Sequence, residues 1–150
     1  MSVAVVEDQE PFAVEAVAEN VRLASEWLER ACCDRDVPAE QVFRLDLCLN
    51  EALANIISHG GPGALQAPVL LTLDVGRDKQ GERAAVSVSD TGRDFNPLAA
   101  AAMPKAQTLA DAEPGGLGLT MISGYSDHLD YERRDGRNHL TFAVRWDTPS

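Results

Sequence analysis

Glu51, Asn55 and His59 follow one another at four-residue steps, so on a helix their side chains share one side, while Leu49 and Ile56 point toward the opposite, core-facing side. Glu51 can accept a proton or position a water. Asn55 offers a neutral carbonyl oxygen of the kind that helps hold Mg²⁺. The same spacing would equally serve to cap or solvate a domain surface, because helical spacing alone does not create a metal site.

A second polar group follows in Ser89-Asp90-Thr91-Gly92-Arg93-Asp94-Phe95. The Asp90 carboxylate can accept a hydrogen bond from a base amino group, the Thr91 hydroxyl can support the same polar end, and Gly92 permits close backbone approach. Phe95 can form a pocket wall or an ordinary core contact. A strand running into an aspartate-rich turn accounts for the same residues.

The third is Pro114-Gly115-Gly116-Leu117-Gly118-Leu119, a flexible turn leading into a helix. Backbone N–H groups there can surround phosphate oxygens, and the positive end of the helix favours their charge. By itself the motif is also compatible with the mere start of a helix. It is not the lysine-containing loop GxxxxGK[ST], because Lys79 and Lys105 are the chain's two lysines and neither stands at the needed place. Nor does it complete GxGxxG, since Met121 occupies the third glycine position.

The elements that must position these groups follow from periodicity. Val3 and Val5 lie in a candidate first strand. Val14, Val17, Val21, Ala24, Leu28 and Ala31 then form one helical stripe, with Glu26 and Arg30 spaced for an i,i+4 pair. Pro38 suits the first turn of a second helix, whose stripe is Val42, Leu45, Leu49, Ala52 and Ile56 and which stops at Gly60 to Gly63. After Pro68 the period drops to two. Val69, Leu71, Leu73 and Val75 share one strand face, Arg77 to Glu82 forms a polar connection, and Ala84, Val86 and Val88 line a returning strand. Asp90 keeps the parity of Val86 and Val88 and therefore points to the core side.

Asn96 to Pro114 is broken by prolines and reads as a loop or mobile cover. A helix through Leu119, Ile122 and Tyr125 leads to a hairpin, with Leu129 and Tyr131 before the Asp135-Gly136 turn and Leu140, Phe142, Val144 and Trp146 after it. The fold expected is a two-layer α+β sandwich with a mixed, largely antiparallel sheet and helices on one face.

The chain has 150 residues, of which 45% are apolar and 25% charged, enough for one domain with a core and too few for two ordinary domains. No run suits a membrane span and the start lacks a basic region and long apolar core, so the expected location is cytoplasmic with no membrane contact. Cys32, Cys33 and Cys48 fit neither a disulfide framework nor a spaced metal set and read as reduced thiols. A net charge of -11 argues against direct nucleic-acid binding but not against a nucleotide held by backbone N–H groups and a metal.

Together and in this order, the three segments resemble the histidine-kinase-like ATPase domains, the GHKL or Bergerat-fold family. Glu51-Ala52-Leu53-Ala54-Asn55 with His59 looks like its N box, Asp90-Thr91-Gly92 with Phe95 like its first glycine box, and Gly116-Leu117-Gly118-Leu119 like its second. The likeness to the small bacterial anti-sigma serine kinases spans nearly the whole chain, including the Tyr131 to Asn138 hairpin. It differs from many ATPases of the superfamily in having Arg93-Asp94 where a second glycine precedes the phenylalanine, a departure the small anti-sigma branch often shares.

The resemblance implies a Bergerat ATP-binding fold over residues 1–150, with an ATP lid in 96–118. It implies ATP and Mg²⁺ as cofactors, Glu51 as general base, and Asn55 as the Mg²⁺ ligand. Asp90 would bind the adenine amino group with Thr91, Gly92 and Phe95 around it, and Gly115, Gly116, Leu117, Gly118 and Leu119 would contact phosphates. The implied partners are an anti-anti-sigma protein that receives phosphate and a sigma factor or related signalling protein, with the chain as a homodimer. Two other functions use the same residues: a noncatalytic ATP-dependent interaction module, and a dimeric aspartic protease built on the Asp90-Thr91-Gly92 triplet.

Overall fold

The computed structural model describes residues 10–94 and 122–147. The strand expected around Val3, the loop and lid expected over 96–118, Phe95 and the Gly115 to Leu119 turn lie outside the described residues.

Strand β1 (Phe12–Val14) leads through a 3₁₀ turn (Ala18–Asn20) into helix α1 (Val21–Asp34), which is followed by α2 (Ala39–His59). A second 3₁₀ turn (Pro62–Leu65) precedes the hairpin of β2 (Val69–Asp78) and β3 (Gly81–Asp90); residues 122–125 are helical, and β4 (His128–Arg134) and β5 (Arg137–Trp146) close the described chain. The five strands form one sheet in the order β1-β2-β3-β5-β4, antiparallel at every pairing. The pairings of β2 with β3, β3 with β5 and β4 with β5 obey the alternation read from the sequence, so apolar rows cross the sheet on the helix side. Leu73, Val86, Phe142 and Leu129 make one row, and Leu71, Val88, Leu140 and Tyr131 the next.

Against this face α1 buries Ala24, Leu28 and Cys32, while α2 buries Leu45, Cys48, Leu49, Ala52 and Leu53. The core is therefore the seam between two amphipathic helices and the sheet.

Four local expectations change. Val14 belongs to β1, where it pairs with Val69, and Val17 precedes the 3₁₀ turn, so α1 starts at Val21. Burial of Val14 against the sheet and the stacking of Phe12 on Trp27, with ring centroids 5.8 Å apart, outweigh a helical period that the sequence also satisfied. Pro38 is the N-cap of α2, in extended backbone, rather than part of its first turn. Finally, Glu26 pairs backward with Arg22 at 3.3 Å, not forward with Arg30. The polar connection after β2 also shrinks to Lys79-Gln80 as the strands pair out to Asp78 and Gly81.

Candidate functional site

The C-terminal end of α2 and the C-terminal end of β3 are locked side by side. The Arg93 backbone N–H donates to the Gly60 carbonyl at 3.0 Å, and the Thr91 hydroxyl donates to the Gly63 carbonyl at 2.7 Å. Glycine is required on both sides of this joint. A Cβ on Gly60 would stand 2.5 Å from the Ile56 carbonyl oxygen, and one on Gly92 would stand 2.9 Å from Gly60 Cα.

The joint opens into a pocket lined by Asn55, Ile56 and His59 of α2, Asp90 and Arg93 at the end of β3, and Tyr131 and Asn138 of the terminal hairpin. Ala52, Val88 and Leu140 supply apolar floor. The pocket thus combines apolar surface with a few convergent polar groups, as small-molecule sites do.

Asn55 is buried, with 6% of its surface exposed, and its Nδ2 has no hydrogen-bond partner among the described residues. An orphaned amide on a pocket wall is costly unless a bound group completes it. Asp90 is also buried, at 5% exposure. Its Oδ1 accepts from the Gly92 backbone N–H at 2.8 Å and from Asn138 Nδ2 at 3.1 Å, and neither bond uses Oδ2.

The joint therefore brings together Asn55, His59, Asp90 and Gly92. Glu51, one helical turn before Asn55, is half-buried and stands outside the pocket lining. Thr91 turns toward Gly63 and works as part of the joint. Among the described residues no group of three or more His, Cys, Asp and Glu could hold a metal. Mg²⁺ needs no such cage: it is usually held by one or two protein oxygens together with substrate phosphates and water, a role open to the Asn55 side chain through its carbonyl Oδ1, while its orphaned Nδ2 is a donor suited to an acceptor such as a phosphate oxygen.

Besides the apolar floor and Gly60, three polar or charged lining residues are not marked as site residues by the sequence: Arg93, Tyr131 and Asn138. Arg93 stood out in the sequence only as a departure from the glycine box, yet it brings a positive charge to the pocket of a chain whose net charge is -11. Asn138 was legible only as part of a hairpin. The two-residue Asp135-Gly136 turn, with φ of 55° and 78°, sets Asn138 opposite Arg133, but only the pairing of β5 with β3 sets it opposite Asp90.

A two-layer α/β domain whose helix-borne asparagine and strand-end aspartate face one pocket matches a nucleotide-binding class, and a family model places it. The chain belongs to the histidine kinase-like ATPase domain family, whose model matches residues 14–144. It is 38% identical over 117 residues to the serine/threonine-protein kinase BtrW of Bordetella bronchiseptica, covering 78% of this chain and 80% of that protein.

Two solved structures share the fold. One holds the RsbU and RsbW domains of Rv1364c from Mycobacterium tuberculosis, with a TM-score of 0.63 and 14% identity over 95% of this chain; the match spans about a third, 34%, of that longer chain. The other is the SiaB–SiaC complex from Pseudomonas aeruginosa, with a TM-score of 0.60 and 16% identity over 92% of each chain. No helix among the described residues is long and apolar enough to cross a membrane.

Proposed function

We propose that this chain is an anti-sigma regulatory factor with ATP-dependent serine/threonine protein kinase activity. The observation that carries the reading is the meeting of Asn55 and Asp90 across one pocket, both buried, with Asn55 Nδ2 unpartnered among the described residues and the Asp90 bonds to Gly92 and Asn138 both falling on Oδ1. Its kinase aspect is supported by the 38% identity to a serine/threonine-protein kinase.

In this reading Asp90 accepts a hydrogen bond from the adenine amino group and Gly92 keeps the backbone close. Asn55 helps hold Mg²⁺, which neutralises phosphate charge when bound. Gly115, Gly116 and Gly118 contribute phosphate-contacting N–H groups, as their resemblance to the second glycine box suggests. Glu51 takes the proton from a partner's serine or threonine hydroxyl. That oxygen forms a bond to the γ-phosphorus as the bond to the β–γ bridging oxygen breaks, and ADP leaves. The acceptor is an anti-anti-sigma protein, the sequestered partner is a sigma factor or related signalling protein, and the chain works as a cytoplasmic homodimer.

The test is transfer of labelled γ-phosphate from ATP, with Mg²⁺, to anti-anti-sigma proteins presented one at a time. A serine or threonine phosphoester on one of them is expected. ATP binding without transfer to any would instead identify a noncatalytic ATP-dependent interaction module.

A further inference from the structure

Asn138 enters β5 opposite Asp90 of β3 and Arg133 of β4, so it sits between the acid of the pocket and the edge strand. Its exposure is 6%, and its amide is bonded on both sides. Nδ2 donates to Asp90 Oδ1 at 3.1 Å and to the Arg93 carbonyl at 2.8 Å, while Oδ1 accepts from Arg133 Nη1 at 3.1 Å and lies within reach of the Tyr131 hydroxyl. Rotating the amide by half a turn would set its oxygen against the Asp90 carboxylate and its NH₂ against the Arg133 guanidinium. The network therefore permits one orientation.

This fixes what Asp90 can offer a ligand. A carboxylate with both oxygens available accepts two parallel N–H bonds, the pattern presented by N1–H and the 2-amino group of guanine. Here Oδ1 already carries the Gly92 N–H and the Asn138 amide, and only Oδ2 remains outside these bonds. A base that presents a single amino donor, as the 6-amino group of adenine does, fits one acceptor; a guanine must leave one of its two donors without a carboxylate oxygen.

We infer that Asn138 is a positioning residue that sets base selectivity: by occupying Asp90 Oδ1 it restricts the carboxylate to one acceptor and so favours 6-aminopurine over 2-amino-6-oxopurine nucleotides. This rests on the nucleotide-binding reading above.

The experiment measures ATP and GTP binding side by side in the wild-type chain, Asn138→Ala and Asn138→Asp, from pH 5 to 8. Wild type is expected to prefer ATP at every pH. Asn138→Ala frees Oδ1 of one donor, and the ATP:GTP affinity ratio is expected to fall about tenfold or more, with GTP gaining relative to ATP.

Asn138→Asp supplies a second readout within one folded protein. At low pH the two adjacent carboxyls share a proton, an O–H replaces the amide as donor to Oδ1, and the ratio approaches that of wild type. As pH rises both ionise, the donor disappears and the ratio falls. The groups facing this position are Asp90 and Arg93 from β3 and the turn after it, Arg133 and Tyr131 from β4, Asp94 through Tyr131, Arg137 beside it, and His59 across the pocket. Wild type carries all of them, and taking the ratio of two triphosphates cancels titration of the phosphates.

Parallel weakening of both nucleotides in Asn138→Ala, or a ratio in Asn138→Asp that does not move with pH, overturns the inference while leaving nucleotide binding intact. Wild type that binds neither nucleotide removes the underlying reading and this inference together.

Discussion

Gly92 packs directly against Gly60: a Cβ on Gly92 would lie 2.9 Å from Gly60 Cα and 2.9 Å from Asp90 Oδ1. One missing side chain thus serves two ends, letting the α2 terminus reach β3 and leaving room for the turn that donates to Asp90. Gly92→Ala is expected to cost about 1–3 kcal/mol of stability by overpacking and to weaken binding of an ATP analogue at the same time. Gly76→Ala is the control, since a Cβ there meets nothing within 4 Å. Chemical denaturation and analogue titration of both variants check this; equal behaviour would sink the account of the joint.

Asn55 is expected to separate function from stability. Asn55→Ala removes a buried donor that has no partner among the described residues and places a better helix former inside α2. Stability should stay level or rise slightly while Mg²⁺-dependent ATP binding falls about tenfold or more. Calorimetric melting beside a binding titration with and without Mg²⁺ reads both. A large loss of stability would mean that Asn55 is a structural residue.

Glu51→Gln is expected to lower phosphate transfer by about 10²–10⁴-fold, the usual reach of a general base, while nucleotide affinity stays within about twofold. The residue's position outside the pocket lining makes retained binding the natural result. Transfer at the wild-type rate would assign the proton to another group.

Phe142 is the largest fully buried side chain among the described residues and sits at the centre of the apolar row that joins β3, β5 and β4. Phe142→Ala should destabilise by about 3–5 kcal/mol through lost burial and the cavity left behind. Urea unfolding would show it as a lower midpoint with little change in slope.

The three cysteines should separate by reactivity. Burial pushes the Cys32 thiol up to about 11, and burial pushes Cys48 up to about 12, with Arg44 opposing and Glu51 adding to the rise, whereas Cys33 is exposed. A thiol reagent at pH 8 should label one cysteine quickly in the native protein and three after denaturation. The pH dependence follows from the same shifts. A thiol held protonated in the fold contributes stability that is intact below its ordinary value of 9.0 and is lost as pH rises from there through about 11 and 12. Rapid native labelling of all three would contradict the burial of Cys32 and Cys48.

Much of this molecule is local information. The alternation from Val69 to Val75 and from Ala84 to Val88 specified two strands and the inward parity of Asp90, because a pleated strand leaves no other assignment for every second side chain. The stripe from Leu45 to Ile56 specified α2 and the placement of Asn55, and the glycines at its end marked where it stops. The Asp135-Gly136 turn carried the last hairpin and its register.

What sequence could not decide was every assignment that depends on a distant partner. Val14 and Val17 satisfied a helical period, yet pairing with β2 drew Val14 into a strand. Tyr131 and Asn138 belong to the pocket only because β5 lies beside β3, which sets Asn138 across from an aspartate 48 residues earlier, and Arg93 because the turn after β3 bonds to Gly60 at the end of α2. Side-chain period records which face a residue takes within its own element. Which residue stands opposite is fixed by the packing of whole elements, and that is a property of the tertiary structure alone.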